Sequence, residues 1–372
     1  MASGFLMAIP FAAVLIVVSN NARRIRNAPV DYIFPFYVLS ILLAIVIHEM
    51  GHLAAGWLVG FRFSSITVGP ISLRVEYGRL KLQLRRSMLV GGYAGMHVGR
   101  LRLLRQRLRV FIAGGPIANL LTAVLCASIL VYTPPESVGM RVAIEMLWMI
   151  SAVLGILNLI PYRVGALYND GSRILTLRIS LAKTRRWICQ CAIANQAQSG
   201  IRPRTWKRTW LDAVGRIRDG SFDDFAGNWV GYVAANDRKD STTAAAHLER
   251  CLELINGLGP SLQDHVALEA AIFTAWFRED PTTSQQWLGE VKKFHSLPKL
   301  MQARAEIASC CARKEFGSAL SLWQKAFASI ESLPPTPIRS RLIEGFQEWR
   351  DEILERECAQ HTQADAVITS LG

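Results

Sequence analysis

The sequence is short of charge: only 19% of its residues are Asp, Glu, Lys or Arg, against roughly 25% in an ordinary soluble protein. The deficit falls on acids and on one half. Residues 1–186 hold 6 acidic residues against 21 basic ones, whereas residues 187–372 hold 23 against 21. The net charge of +13 therefore belongs to the first half. The near-neutral balance of the second half argues against nucleic-acid binding, which requires a basic face. Low-complexity tracts are also lacking, and a chain 51% hydrophobic is neither disordered in bulk nor collagen-like. The 7 cysteines have an odd count and no framework spacing, which excludes a small disulfide scaffold and points to reduced thiols. Cys189-x-Cys191 is not a metal-binding spacing, and adjacent Cys310 and Cys311 read as core filler.

What the first half does contain is apolar runs near the length an α-helix needs to cross a membrane. They cover residues 4–19, 32–59, 110–132 and 139–161. No Lys or Arg precedes the first and no small-residue cleavage site follows it, so it reads as a retained span rather than a signal peptide. Basic loops stay on the cytoplasmic side. Placing the segments 61–109 and 162–186 inside collects 17 Lys and Arg, against 4 for the reverse orientation. Arg23, Arg24 and Arg26 contradict that placement locally. The basic residues from Arg100 to Arg109 are expected against anionic lipid headgroups.

The second run reads Ile45-Val46-Ile47-His48-Glu49-Met50-Gly51-His52-Leu53. Residues i and i+4 share a helix face, so His48 and His52 can bind one metal ion, and Glu49 is placed to take a proton from an activated water. Three ionisable side chains in a lipid-crossing run are costly, and a water-filled metal site offsets that cost where idle packing does not. A hydrolytic site needs a third ligand, to be supplied from elsewhere in the chain.

The fourth run ends Asn158-Leu159-Ile160-Pro161, and Asn169-Asp170-Gly171 follows. H-E-x-x-H within a span, then N-x-x-P and D-G, resembles the site-2 protease family of intramembrane zinc metalloproteases. The resemblance implies one zinc ion per chain held by His48, His52 and Asp170, with Glu49 catalytic. Ala113-Gly114-Gly115-Pro116-Ile117-Ala118-Asn119 is similar to the family's G-P-x-x-N element, which implies a catalytic place for Asn119 near the substrate or the developing oxyanion. Gly91-Gly92-Tyr93 is similar to its G-G-Y element, and the alternation in Leu80-Lys81-Leu82-Gln83-Leu84 reads as short strands that the family folds beside the membrane site. One departure stands out: Asp170 lies nine residues after Pro161 and follows Asn169, where the family places D-G sooner and commonly after Leu.

Beyond Trp187 no run is long enough to span, and the periodicity is helical. Segments at 244–255, 287–294 and 319–330 recur at intervals of 39 and 36 residues, near the 34-residue tetratricopeptide period; a plain helical bundle is the alternative. Pro334-Pro335-Thr336-Pro337 separates them from a closing helix.

The expected architecture is an α-helical polytopic membrane protein with short membrane-associated strands over residues 1–186. An all-α soluble domain over residues 187–372 completes it. The resemblance implies an intramembrane endopeptidase of regulated proteolysis, in a bacterial inner membrane with its C-terminal domain cytoplasmic. A membrane-protein substrate, membrane lipid and cytoplasmic proteins bound by the helical tail are the expected partners. The alternative is a catalytically weak membrane scaffold that recruits partners through its tail.

Overall fold

The computed structural model describes residues 30–84, 91–164 and 167–371, with side chains over 34–84, 91–163 and 167–362. The expected first span and Arg23, Arg24 and Arg26 lie outside the described residues. Two compact units divide the chain at 1–191 and 192–372.

In the first unit, helices α1 (Val30–Leu58), α2 (Leu104–Tyr132) and α3 (Val138–Leu159) are long and apolar enough to cross a membrane. They occupy the second, third and fourth apolar runs. α2 starts six residues before the expected 110 and takes Arg105, Arg107 and Arg109 into its first turns. Those guanidiniums find acceptors among backbone carbonyls. Arg107 donates to the carbonyls of Val59 (2.8 Å), just past the end of α1, and of Val98 (3.1 Å) and Arg100 (2.5 Å), just past the strand at residues 92–97. Arg105 and Arg109 both donate to the Leu177 carbonyl, at 2.6 and 2.8 Å, near the end of α4 (Asp170–Ile179). Helix C-termini leave carbonyls unsatisfied, and arginine on a neighbouring helix satisfies them while binding the elements together. Part of the basic run expected at lipid headgroups is thus engaged within the protein.

α1 stops at Gly60, whose φ of 77° admits the left-handed cap that closes the helix. The chain then forms β1 (Arg62–Val68), β2 (Ile71–Glu76), β3 (Arg79–Leu84) and β4 (Gly92–His97), an antiparallel sheet ordered β3-β2-β1-β4. Tyr77 and Gly78, with φ of 49° and 78°, make the two-residue turn between β2 and β3. Leu80, Leu82 and Leu84 form one exposed face of β3 beside Ile71 and Val75 of β2. The opposite face carries Glu76 paired with Lys81 and Arg74.

α1 and α2 meet through glycine. A Cβ on Gly51 would lie 2.5 Å from the Gly114 carbonyl oxygen and from Ala118 Cβ, and a Cβ on Gly114 would strike Gly51 and Ala55 in return. Small residues at this crossing let two backbones approach where any side chain would part them. Gly155 of α3 packs in the same manner on Leu120 and the Pro116 carbonyl.

The helix Leu181–Gln198, α5, contains the division between the units. The second unit is all-helical among its described residues. Three antiparallel pairs follow one another: α7 (Phe222–Asp237) with α8 (Ser241–Leu254), α9 (Pro260–Phe277) with α10 (Pro281–Gly289), and α11 (Lys299–Ala312) with α12 (Phe316–Glu331), after a short α6 (Arg208–Gly215). The first helices of the pairs are tied by one polar line. Tyr232 donates to Glu269 (3.0 Å) and Arg304 donates to the same carboxylate (2.6 Å), at intervals of 37 and 35 residues. α9 is apolar nearly all round because it is the central helix, with Val266 to Trp276 buried. Cys310 and Cys311 fill core beside Ile307, and no disulfide joins the cysteines. Pro337 opens the closing helix α13 (Pro337–Leu371), whose Glu344, Glu348 and Glu352 face Arg202, Arg204 and Lys239.

Gly114→Leu is expected to destabilise the membrane unit by about 1–3 kcal/mol, the usual result of overpacking a tight contact. Thermal unfolding of the detergent-solubilised chain checks this against Gly289→Ala, whose added Cβ meets nothing within 4 Å and should leave the midpoint in place.

Candidate metal centre

His48 and His52 stand one turn apart in the C-terminal half of α1, and both are buried. The crossing at Gly51 brings α2 against that face. Opposite the histidines α2 presents Gly115, and a Cβ there would lie 2.5 Å from His52 Nε2 and 2.7 Å from His48 Nε2. The missing side chain is the space in which the imidazole edges converge.

Asp170, the first residue of α4, completes a triangle. Its Oδ2 lies 3.0 Å from His48 Nε2 and 3.4 Å from His52 Nε2, and the two Nε2 atoms are 3.2 Å apart. Among the described residues, these three make up the cluster of ligand-type groups able to hold a metal. Ligand bonds of 2.0–2.1 Å at tetrahedral angles put neighbouring donor atoms about 3.4 Å apart. The triangle is close to that size.

The donor chemistry fits as well. His52 Nδ1 lies 2.9 Å from the Phe111 carbonyl, which can only accept, and 3.3 Å from the Gly115 N–H, which can only donate; the shorter contact assigns the proton to Nδ1 and leaves Nε2 a lone pair. His48 Nδ1 lies 3.3 Å from the Asn119 amide nitrogen, while Asn119 Oδ1 is buried with no partner. A half-turn of that amide lets Oδ1 accept from His48 Nδ1–H, which satisfies the orphaned oxygen and frees the second Nε2 lone pair. Two lone pairs and a carboxylate then face one another, an arrangement that repels unless a cation lies between them.

Glu49 is 6% exposed, and its carboxylate packs against Gly92 of β4, where a Cβ would collide with Oε1, Cγ and Cδ. The glycine of the G-G-Y element thus gives Glu49 its room. Asn119 is fully buried and touches His48. It reaches the centre through a ligand, and a direct hold on a substrate carbonyl, as expected from sequence, would need it uncovered. His97 lies at the end of β4, half-buried, outside the cluster.

Gly115, Gly92 and Asn169 stand in the sequence as motif positions, and their contacts with His48, His52, Glu49 and the end of α3 appear only in the fold. Asn169 accepts from Ser172 N (3.0 Å) as the N-cap of α4, and Asn three residues before Ser at a helix start is a legible signal. Gly171 has a reason of its own: a Cβ there would strike the Leu159 carbonyl at the end of α3.

Gly115→Ala is expected to weaken metal binding at least tenfold, since its methyl group enters the space between the two imidazoles. Metal content of the purified chain after dialysis against a graded chelator series measures the effect, with His52→Ala as the metal-free reference.

No curated protein and no solved structure matches the chain. A family model does, over residues 36–143, and its description is Peptidase family M50, the site-2 protease family. The match spans α1, the sheet, α2 and the start of α3 and stops before Asp170. The segment that carries His48, Glu49, His52 and Asn119 is thus similar to the model of Peptidase family M50, over less than a third of the chain.

Proposed function

We propose that the protein is a zinc endopeptidase that cuts other membrane proteins within or beside their spans, and that His48, His52 and Asp170 hold one zinc ion. The observation that carries this reading is the triangle of two Nε2 atoms and one carboxylate oxygen, with a buried carboxylate next to it on α1. A bound zinc ion supplies Lewis acidity, which polarises a carbonyl and makes a water acidic near neutral pH.

The chain's own residues do the rest. Glu49 takes a proton from the attacking water and delivers it to the leaving amine. Gly92 leaves that carboxylate its position, Phe111 fixes the tautomer of His52, and Asn119 fixes that of His48. Asp170 has the most exposed side chain of the three ligands, at 20%, so substrate and water reach the centre from its side. A substrate helix shields its own peptide bonds and must unwind before cleavage. The extended segment can add to an outer strand of the sheet, and β4, whose Gly92 touches Glu49, is the outer strand nearest to the chemistry.

The orientation follows from charge. The end of α2 that carries Arg105, Arg107 and Arg109 is the end near the centre, since Phe111 lies seven residues, or about 10 Å, from Leu104. Basic ends stay cytoplasmic, which supports a site toward the cytoplasm; a bacterial inner membrane and a cytoplasmic C-terminal unit are part of the proposal. That unit, with its successive helix pairs, is proposed to bind cytoplasmic proteins.

Cleavage of a single-span reporter co-reconstituted with the protein tests the reading. Glu49→Gln is expected to retain zinc and to lose at least a hundredfold in rate, the scale of a general base. Gly92→Ala is expected to retain zinc and to cleave more slowly, because its Cβ displaces Glu49. Zinc bound with no cleavage that depends on Glu49 would favour a membrane scaffold acting through its helical unit.

A further inference from the structure

Asn169, the residue before Asp170, makes more contacts than a helix cap requires. Between the end of α3 and the start of α4 the chain makes an excursion, of which the short strands β5 (Arg163–Val164) and β6 (Leu167–Tyr168) pair antiparallel. A longer link to a metal ligand is a liability, because each added residue widens the range of places the carboxylate can occupy. We propose that Asn169 is a positioning residue of the metal centre: its side chain clasps the feet of this hairpin to the last turn of α3 and so fixes where the Asp170 carboxylate enters the ligand set. The inference rests on the metal-site reading above.

Five contacts of one side chain carry it. The Asn169 amide nitrogen donates to the carbonyls of Ile160 (2.7 Å), Leu157 (3.2 Å) and Asn158 (3.3 Å), its two hydrogens shared among three acceptors. Its Oδ1 accepts from the backbone N–H of Tyr162 (3.1 Å) and of Ser172 (3.0 Å). Tyr162 closes the clasp from the other foot, where its carbonyl accepts from Asn169 N (3.4 Å) and Ser172 Oγ (2.7 Å). The last carbonyls of a helix and the first N–H groups of the next have no partners of their own. Here one amide serves both sets, so the end of α3 and the start of α4 are held as a unit.

Asp170 is therefore flanked on each side by a residue fixed to α3, by hydrogen bonds at Asn169 and by close packing at Gly171. With its feet clasped at Tyr162 and Asn169, the hairpin is a side excursion that does not move the ligand. An ordinary N-cap needs only the oxygen of Asn169. The three carbonyls met by its nitrogen go beyond capping, and they separate this proposal from a local role in helix α4.

That separation sets the experiment. Asn169→Asp keeps the capping acceptor and turns the donor side into a second oxygen facing three carbonyls. Asn169→Ser keeps a capping acceptor on a side chain too short to reach α3, and serves where the aspartate variant does not fold. Zinc affinity of the solubilised full-length variants is measured by competition with a chromophoric chelator. The visible ligand-field bands of the Co2+-loaded chain report the coordination geometry.

The expected result is a 10–100-fold loss of zinc affinity, the range seen when outer-shell partners of metal ligands are removed, with weakened or shifted Co2+ bands. Wild-type affinity and bands in a folded variant would overturn the proposal and leave Asn169 a helix cap only. Should the wild type and His52→Ala take up zinc equally, the metal-site reading itself fails, an outcome distinct from the first.

Discussion

The close approach of α1 and α2 at Gly51 and Gly114 is the contact on which the membrane unit depends. Burying two imidazoles and a carboxylate on an apolar helix is tolerable only if each polar atom meets a partner. The crossing supplies those partners. It sets the Phe111 carbonyl at one imidazole Nδ1 and the Asn119 amide at the other, four residues before and after Gly115, which leaves room between them. One glycine contact thus governs the tautomer of both histidines and the space into which they point.

The third candidate ligand answers to a different constraint. Asp170 belongs to no span, and its place depends on the end of α3, to which Asn169 and Gly171 hold the neighbouring backbone. The arginines at the start of α2 anchor the other end of the same short helix through the Leu177 carbonyl. α4 is therefore held at both ends, by α3 at its N-terminus and by α2 near its C-terminus, with the carboxylate at the end that faces the histidines. Charge that reads in the sequence as a label for lipid headgroups serves in the fold as a set of hydrogen-bond donors to helix termini.

The second unit organises its polar groups by repetition. Glu269 takes hydrogen bonds from Tyr232 of the preceding pair and Arg304 of the following one, so a carboxylate that would be costly alone is satisfied from both sides. The acidic row on α13 repeats the device at the surface with Arg202, Arg204 and Lys239. Helix periodicity was legible for the segments 244–255 and 319–330, which lie in α8, up to its C-cap Ile255, and in α12. The short α10 ends at Gly289, and the remainder of the segment 287–294 leaves the helix.

Local chemistry was written in the sequence. H-E-x-x-H at i and i+4 placed His48 and His52 on one helix face, the apolar runs located α1 to α3, and the alternation at Leu80 to Leu84 marked β3, because such patterns depend on the geometry of a single element. What the sequence could not state was which backbone groups meet those side chains across space. That Asn119 touches His48, that Gly115 and Gly92 are empty space for imidazole and carboxylate, and that Asn169 joins the end of α3 to the start of α4 all arise from contacts between elements. Spacing along a chain fixes distances only within one helix or strand; between elements, distance is set by how their side chains, or the lack of them, allow backbones to pack.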